Sequence, residues 1–152
     1  MIQSHRISVL APLGLSVVAL VCTMIIYLLP LRATVNLIRR ERGRGHVGTP
    51  WTALVIFARV VFYASLGHLL EMGFWAVLFM ICGEFSDFGT AFYHSAVNYT
   101  SLGYGDLIMT PSWRLLGPLE TANGTLLFGA STAMIFAVML WLIQARFTDL
   151  KG

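Results

Sequence analysis

The residues whose types and spacing point to chemistry are Thr100-Ser101-Leu102-Gly103-Tyr104-Gly105-Asp106, set between two long apolar tracts. What this run offers is main chain rather than a reactive side chain. Glycine tolerates positive φ where other residues do not, so Gly103 and Gly105 allow the backbone to alternate its handedness. Successive carbonyls then turn to one side. Several copies of such a segment around an axis stack rings of oxygens, and such rings can replace the water shell of a cation. The chemistry is coordination, with no bond made or broken. No convergent nucleophile or metal set accompanies it elsewhere in the chain, which argues against an enzyme.

A lone Gly-x-Gly is a weak signal. Here the run follows an aromatic segment and ends in Asp, and it resembles the pore loop of the potassium-channel family, which usually reads Thr-Val-Gly-Tyr-Gly-Asp. The resemblance extends back without a gap through Ala91-Phe92-Tyr93-His94-Ser95-Ala96-Val97-Asn98-Tyr99, where the family places its pore helix. It implies an all-α membrane protein, with a re-entrant pore helix and selectivity-filter loop, assembled as a homotetramer that conducts potassium passively. It implies potassium ligands at the carbonyls of Ser101, Leu102, Gly103 and Tyr104, with the Ser101 hydroxyl at the innermost site and Gly105 completing the filter. Potassium is then the permeant ligand, and no cofactor is implied. Ser101 and Leu102 depart from the usual Thr and Val. The alternatives are a weakly selective cation channel and a non-conducting, pore-like partner subunit.

The same resemblance assigns supporting roles. Tyr93 and His94 stand where many relatives carry two tryptophans bracing the filter, which predicts a bond from one of them toward Tyr104. His94 would then make conduction sensitive to external pH, the bland reading being a neutral histidine between helices. Val97 replaces a glutamate that in some relatives bonds the filter aspartate, so Asp106 must find another partner or water. In the last apolar tract Gly124 and Gly129 fall at the family's hinge and close-packing glycines. Thr125, Phe128, Thr132 and Phe136 would face the cavity with Leu140 a turn below, and Phe136 and Leu140 would form a hydrophobic gate. The bland alternative for these side chains is packing against lipid.

The elements that must position these residues follow from composition. The chain has 152 residues, 57% hydrophobic and 11% charged, with mean hydropathy +0.77. Soluble domains carry about 25% charged residues, so this is an integral membrane protein. The net charge of +3 and pI near 9.2 do not imply nucleic acid. Arg32, Arg39, Arg40, Arg42 and Arg44 crowd one loop, which the positive-inside rule explains. Cys22 and Cys82 sit in apolar runs and read as packing residues.

Three spans are predicted. The first covers residues 8–29, follows Arg6 and stops at Pro30. It is too long for a signal peptide's apolar region and lacks a cleavage site, so it is expected to be retained. Residues 1–30 form an N-terminal transmembrane helix, 31–50 a cytoplasmic Arg-rich linker, and 51–152 the pore domain. The second tract, Trp51 to Cys82, exceeds one straight crossing. Either Arg59 marks the inner interface or the whole tract is one tilted helix. Gly83 to Ser86 connects outside, and Asp87 is a plausible N-cap. Residues 107–118 form an outer loop, and the last span runs from about Leu119 to Ile143, with Arg146 and Lys151 inside.

This arrangement puts the Gly-Tyr-Gly loop and the N-terminus outside the cell membrane and the C-terminus in the cytoplasm. With no repeat in the chain, carbonyl rings require several copies. A voltage sensor is not expected, since no regularly spaced Arg precedes the pore pair. Nor is a ligand-binding module expected after Arg146. The first span is left to brace the pore, occupy lipid or dock an unidentified regulatory partner. Outside, Glu84, Asp87, Asp106 and Glu120 oppose only Arg114, which predicts a negative mouth that concentrates cations. The bland reading of Glu84 and Glu120 is solvated loop charge. Asn98-Tyr99-Thr100 and Asn123-Gly124-Thr125 match the glycosylation pattern only by chance, since neither is reachable.

His68 and Glu71 lie on one helical face within the second tract. Three readings stand: a structural pair behind the pore helix, a protonation switch, or two ligands of a metal.

Overall fold

Apolar runs too long for a soluble core helix become three long helices here, with a short fourth between the second and third. The computed structural model describes residues 2–44 and 49–149, with side chains placed for 9–43 and 49–147. Lys151 lies outside the described residues, as do the side chains of Arg6, Ser8 and Arg44. The order is α1 (Ile2–Arg44), α2 (Pro50–Ile81), α3 (Phe88–Tyr99) and α4 (Leu116–Asp149). Helices α1, α2 and α4 are each long and apolar enough to cross a membrane.

The first span does not stop at Pro30. Helix α1 has 43 residues and continues through the expected linker to Arg44, roughly 65 Å at 1.5 Å per residue. A bilayer core needs about 20 residues, so the Arg-bearing turns of the linker are helix and not loop. A proline inside a helix removes one backbone bond and crowds the preceding turn. Here the room is made by Gly67 of α2. A Cβ on Gly67 would stand 2.7 Å from Pro30 Cγ, so the ring packs where only glycine fits.

The second tract is one helix of 32 residues from Pro50 to Ile81. Pro50 occupies its first position, where a missing N–H costs nothing. Thr49 caps it, with Thr52 N–H donating to Thr49 Oγ1 at 3.3 Å. Helix α4 begins earlier and ends later than the sequence suggests, and Pro118 falls in its first turn, where proline is tolerated.

Two compact units divide the chain: Met1–Ile26 with Leu69–Phe128, and Tyr27–His68 with Gly129–Gly152. In the first, Trp75, Phe79, Met72 and Tyr99 make a buried cluster with Ala19 of α1 and with Met109 and Leu116. Thr23 of α1 is fully buried and accepts from Asn123 Nδ2 of α4 at 2.8 Å. The N-terminal half of α1 therefore packs into this unit. In the second unit Leu37, Ile56, Val60, Val138 and Leu142 form the core. Beside it a cavity of about 320 Å³ is lined by Asn36, Arg40, Glu41, Arg59 and Tyr63. Cys22 and Cys82 are both free.

Candidate ion-coordinating loop

Helix α3 starts where the sequence places its cap. Asp87 is extended, and its Oδ2 accepts from Thr90 N–H at 2.8 Å and from Thr90 Oγ1 at 3.1 Å. These bonds hold the Asp87 carboxyl below its usual pKa. The helix ends at Tyr99, and the chain turns back under it. Ser101 N–H donates to Asn98 O at 2.9 Å, while Leu102 and Gly103 N–H both donate to Val97 O, at 2.9 and 3.2 Å. These bonds fix the start of the loop on the helix's last turn.

The loop backbone alternates. Ser101, Gly103 and Gly105 have φ of 61°, 62° and 70°, and they are separated by Leu102 and Tyr104, which are not in that region. Gly103 and Gly105 were legible as the left-handed positions. Ser101 was not, because a serine at positive φ is uncommon. Its hydroxyl lies 3.5 Å from Thr125 Oγ1 of α4. All the residues from Ser101 to Asp106 are exposed in a single protomer, Tyr104 at 68%.

The bracing differs from the expectation that Tyr93 or His94 bonds toward Tyr104. Tyr93 OH instead donates to Asp106 Oδ2 at 2.8 Å, which raises the phenol's pKa and keeps it protonated. This is the partner that Asp106 lacked once Val97 replaced a glutamate. His94 is turned inward and buried, its ring centroid 5.4 Å from that of Phe79 and 4.9 Å from that of Phe85. Asn98 Nδ2 lies 2.9 Å from His94 Nε2. An amide nitrogen only donates, so Nε2 accepts and the ring is neutral. Burial accordingly lowers the pKa of His94, with Asp106 and Glu84 opposing that shift.

The expected acidic mouth loses one member. Glu120 is not a loop charge but lies fully buried in α4, with Oε1 2.5 Å from Ser95 Oγ. The expectation failed because α4 starts at Leu116, which puts Glu120 on its buried face. Glu84 lies on the connection before α3 and clips the loop that precedes α4, accepting from Thr110 N–H at 2.7 Å and Thr110 Oγ1 at 2.6 Å.

Helix α2 contributes Glu71, fully buried, whose carboxylate accepts from Tyr99 OH. His68 is buried on the same helix. Among the described residues no cluster of His, Cys, Asp or Glu has the make-up of a metal site. Gly124, expected at the hinge, is instead the close-packing position, since a Cβ there would run into Tyr99 O, whereas nothing lies within 4 Å of one at Gly129. Phe128 packs edge-on against Tyr99, with centroids 5.4 Å apart. On α4, Thr132 is exposed, as are Phe136 at 53% and Leu140 at 42%.

Compared with known proteins, residues 51–140 match the family model described as "Ion channel". No curated protein and no solved structure gives a significant match. The matched stretch takes in nearly all of α2, the whole of α3, the alternating loop and most of α4. With more than half of its length inside that family and three helices able to cross a bilayer, this chain belongs to the ion channels, as a multi-pass membrane protein and not an enzyme.

Proposed function

We propose that the protein is a potassium-selective channel in which four copies place Ser101 to Gly105 around a common axis. The observation that carries this reading is the alternation of φ along the loop, positive at Ser101, Gly103 and Gly105 and not at the residues between. Such alternation is what would turn the carbonyls of Ser101, Leu102, Gly103 and Tyr104 to one side, as rings that replace a potassium ion's water require. The Ser101 hydroxyl supplies the innermost ligands. Exposure of the loop in a single protomer supports the same reading, since a symmetric axis would cover it.

In this assignment α3 is the pore helix, the Tyr93–Asp106 bond and buried His94 hold the filter's outer rim, and α4 lines the cavity with Thr125, Phe128 and Thr132. Exposed Phe136 and Leu140 form the hydrophobic constriction, and Gly129 is the hinge. The Arg-rich turns of α1 lie on the cytoplasmic side, leaving the N-terminus and the loop outside. The outer half of α1 braces the pore through Thr23 and Asn123. Glu84, Asp87 and Asp106 draw cations to the mouth.

The test is ion flux into liposomes containing purified protein, potassium against sodium. Potassium flux that exceeds sodium flux and is lost in Gly103→Ala supports the assignment. Equal flux for the two ions would favour the weakly selective reading that Ser101 and Leu102 suggest. Unchanged flux in the mutant rules out this loop as the filter.

A further inference from the structure

Ser95 lies at the centre of α3, fully buried, and its hydroxyl oxygen meets two acceptors from two other helices. Met72 O of α2 is 2.9 Å away and Glu120 Oε1 of α4 is 2.5 Å away. A serine hydroxyl has one proton to give. A backbone carbonyl can only accept, so Ser95 can bond Met72 O only by donating to it. The Glu120 contact then needs a proton of its own, and the only group able to carry it is Glu120. An ionised Glu120 would leave one of these two short oxygen–oxygen contacts without a proton between its atoms.

The surroundings agree. Glu120 is fully buried, and no Lys, Arg or His is among the groups acting on its carboxyl. Ser95 and Asn98 are the two side chains that hydrogen-bond its carboxyl. Its second oxygen, Oε2, makes no hydrogen bond of normal geometry. A buried carboxylate with no cation beside it is strongly disfavoured, and a neutral acid tolerates that position far better.

We infer that Glu120 is held as the neutral acid, donating its proton to Ser95 Oγ so that Ser95 donates on to Met72 O. This relay ties α4 to α3 and α3 to α2, and it makes Glu120 a positioning residue for the short helix whose last turn anchors the alternating loop. Its effect on conduction rests on reading that loop as the filter, but the location of the proton does not. The titratable neighbours on the packed elements are His94 and Tyr99 of α3 and Glu71 of α2. His94 bonds Asn98 and Tyr99 bonds Glu71, while the groups that bond the Glu120 carboxyl are Ser95 and Asn98.

Infrared spectroscopy of the whole protein in liposomes reads the proton directly. At neutral pH the wild type should show a protonated-carboxyl stretch that is missing from Glu120→Gln and displaced to higher frequency in Ser95→Ala, where its acceptor is gone. A wild-type-minus-Glu120→Gln spectrum that shows carboxylate bands and no such stretch overturns the inference. So does a stretch that Ser95→Ala leaves in place, a readout that does not depend on Glu120→Gln assembling. None of these spectra requires conduction, so their failure is separable from failure of the pore reading.

The positioning role is read from potassium flux. Glu120→Gln, neutral and able to donate from its amide, should retain wild-type flux. Ser95→Ala and Glu120→Ala should lose about tenfold, the scale of one broken hydrogen bond. In wild type, flux should fall at the alkaline pH where the stretch disappears, and Glu120→Gln should lack that fall. Wild-type flux in Ser95→Ala and Glu120→Ala, or the same alkaline fall in Glu120→Gln, overturns the positioning role.

Discussion

At Ser101 a side chain sits where the backbone favours glycine, and the loop depends on it. A non-glycine residue in the left-handed region is strained by about 1–2 kcal/mol, offset here by Ser101 N–H donating to Asn98 O and by the nearby Thr125 hydroxyl. Gly103 has a φ of 62°, which makes Gly103→Ala strained whatever space surrounds it. That variant should still assemble and lose flux, as gel filtration and liposome assays would show.

His94 gives a pH prediction with a definite sign. Its folded pKa lies below the ordinary 6.5, so protonation favours the unfolded or displaced ring. The stability contributed by neutral His94 is complete above about pH 6.5 and is lost as pH falls through the lower, folded value. External acid should therefore reduce flux only below the usual imidazole range. His94→Gln should remove that step, and an unchanged acid profile in the mutant would show that another group is responsible.

At the scale of elements, the sequence was most readable where one residue does a local job. Asp87 as the cap of α3, the connection before it and the apolar tracts all follow from side-chain type. Pro30 misled because a proline's local cost says nothing of a partner helix that makes room for it, and Gly67 lies far away in the sequence. Glu120 misled for the same reason: a carboxylate near a span's end reads as surface until Ser95 is found against it. The Tyr93–Asp106 bond was missed because the resemblance pointed both Tyr93 and His94 at Tyr104. The two glycines of α4 can now be separated. Gly124→Ala forces a Cβ onto Tyr99 O and should destabilise by about 1–3 kcal/mol, visible as a lower melting temperature in detergent. Gly129→Ala meets nothing within 4 Å and should melt no lower than wild type.

For the whole molecule, α1 is the least expected part. Its N-terminal half is fastened to α4 through Thr23 and Asn123 in the interior of the first unit. Asn123→Ala leaves Thr23 without that donor and should cost about 1 kcal/mol, again measurable by thermal melting. One protomer leaves Leu102 and Tyr104 exposed, and several copies around one axis would cover them. Chemical cross-linking in the membrane should end at a tetramer. The most direct test of the central claim remains the relative flux of potassium and sodium through purified protein in liposomes. Potassium flux should lie well above sodium flux and be abolished by Gly103→Ala. Flux that ignores that substitution, or a protein that carries no ion at all, would contradict it.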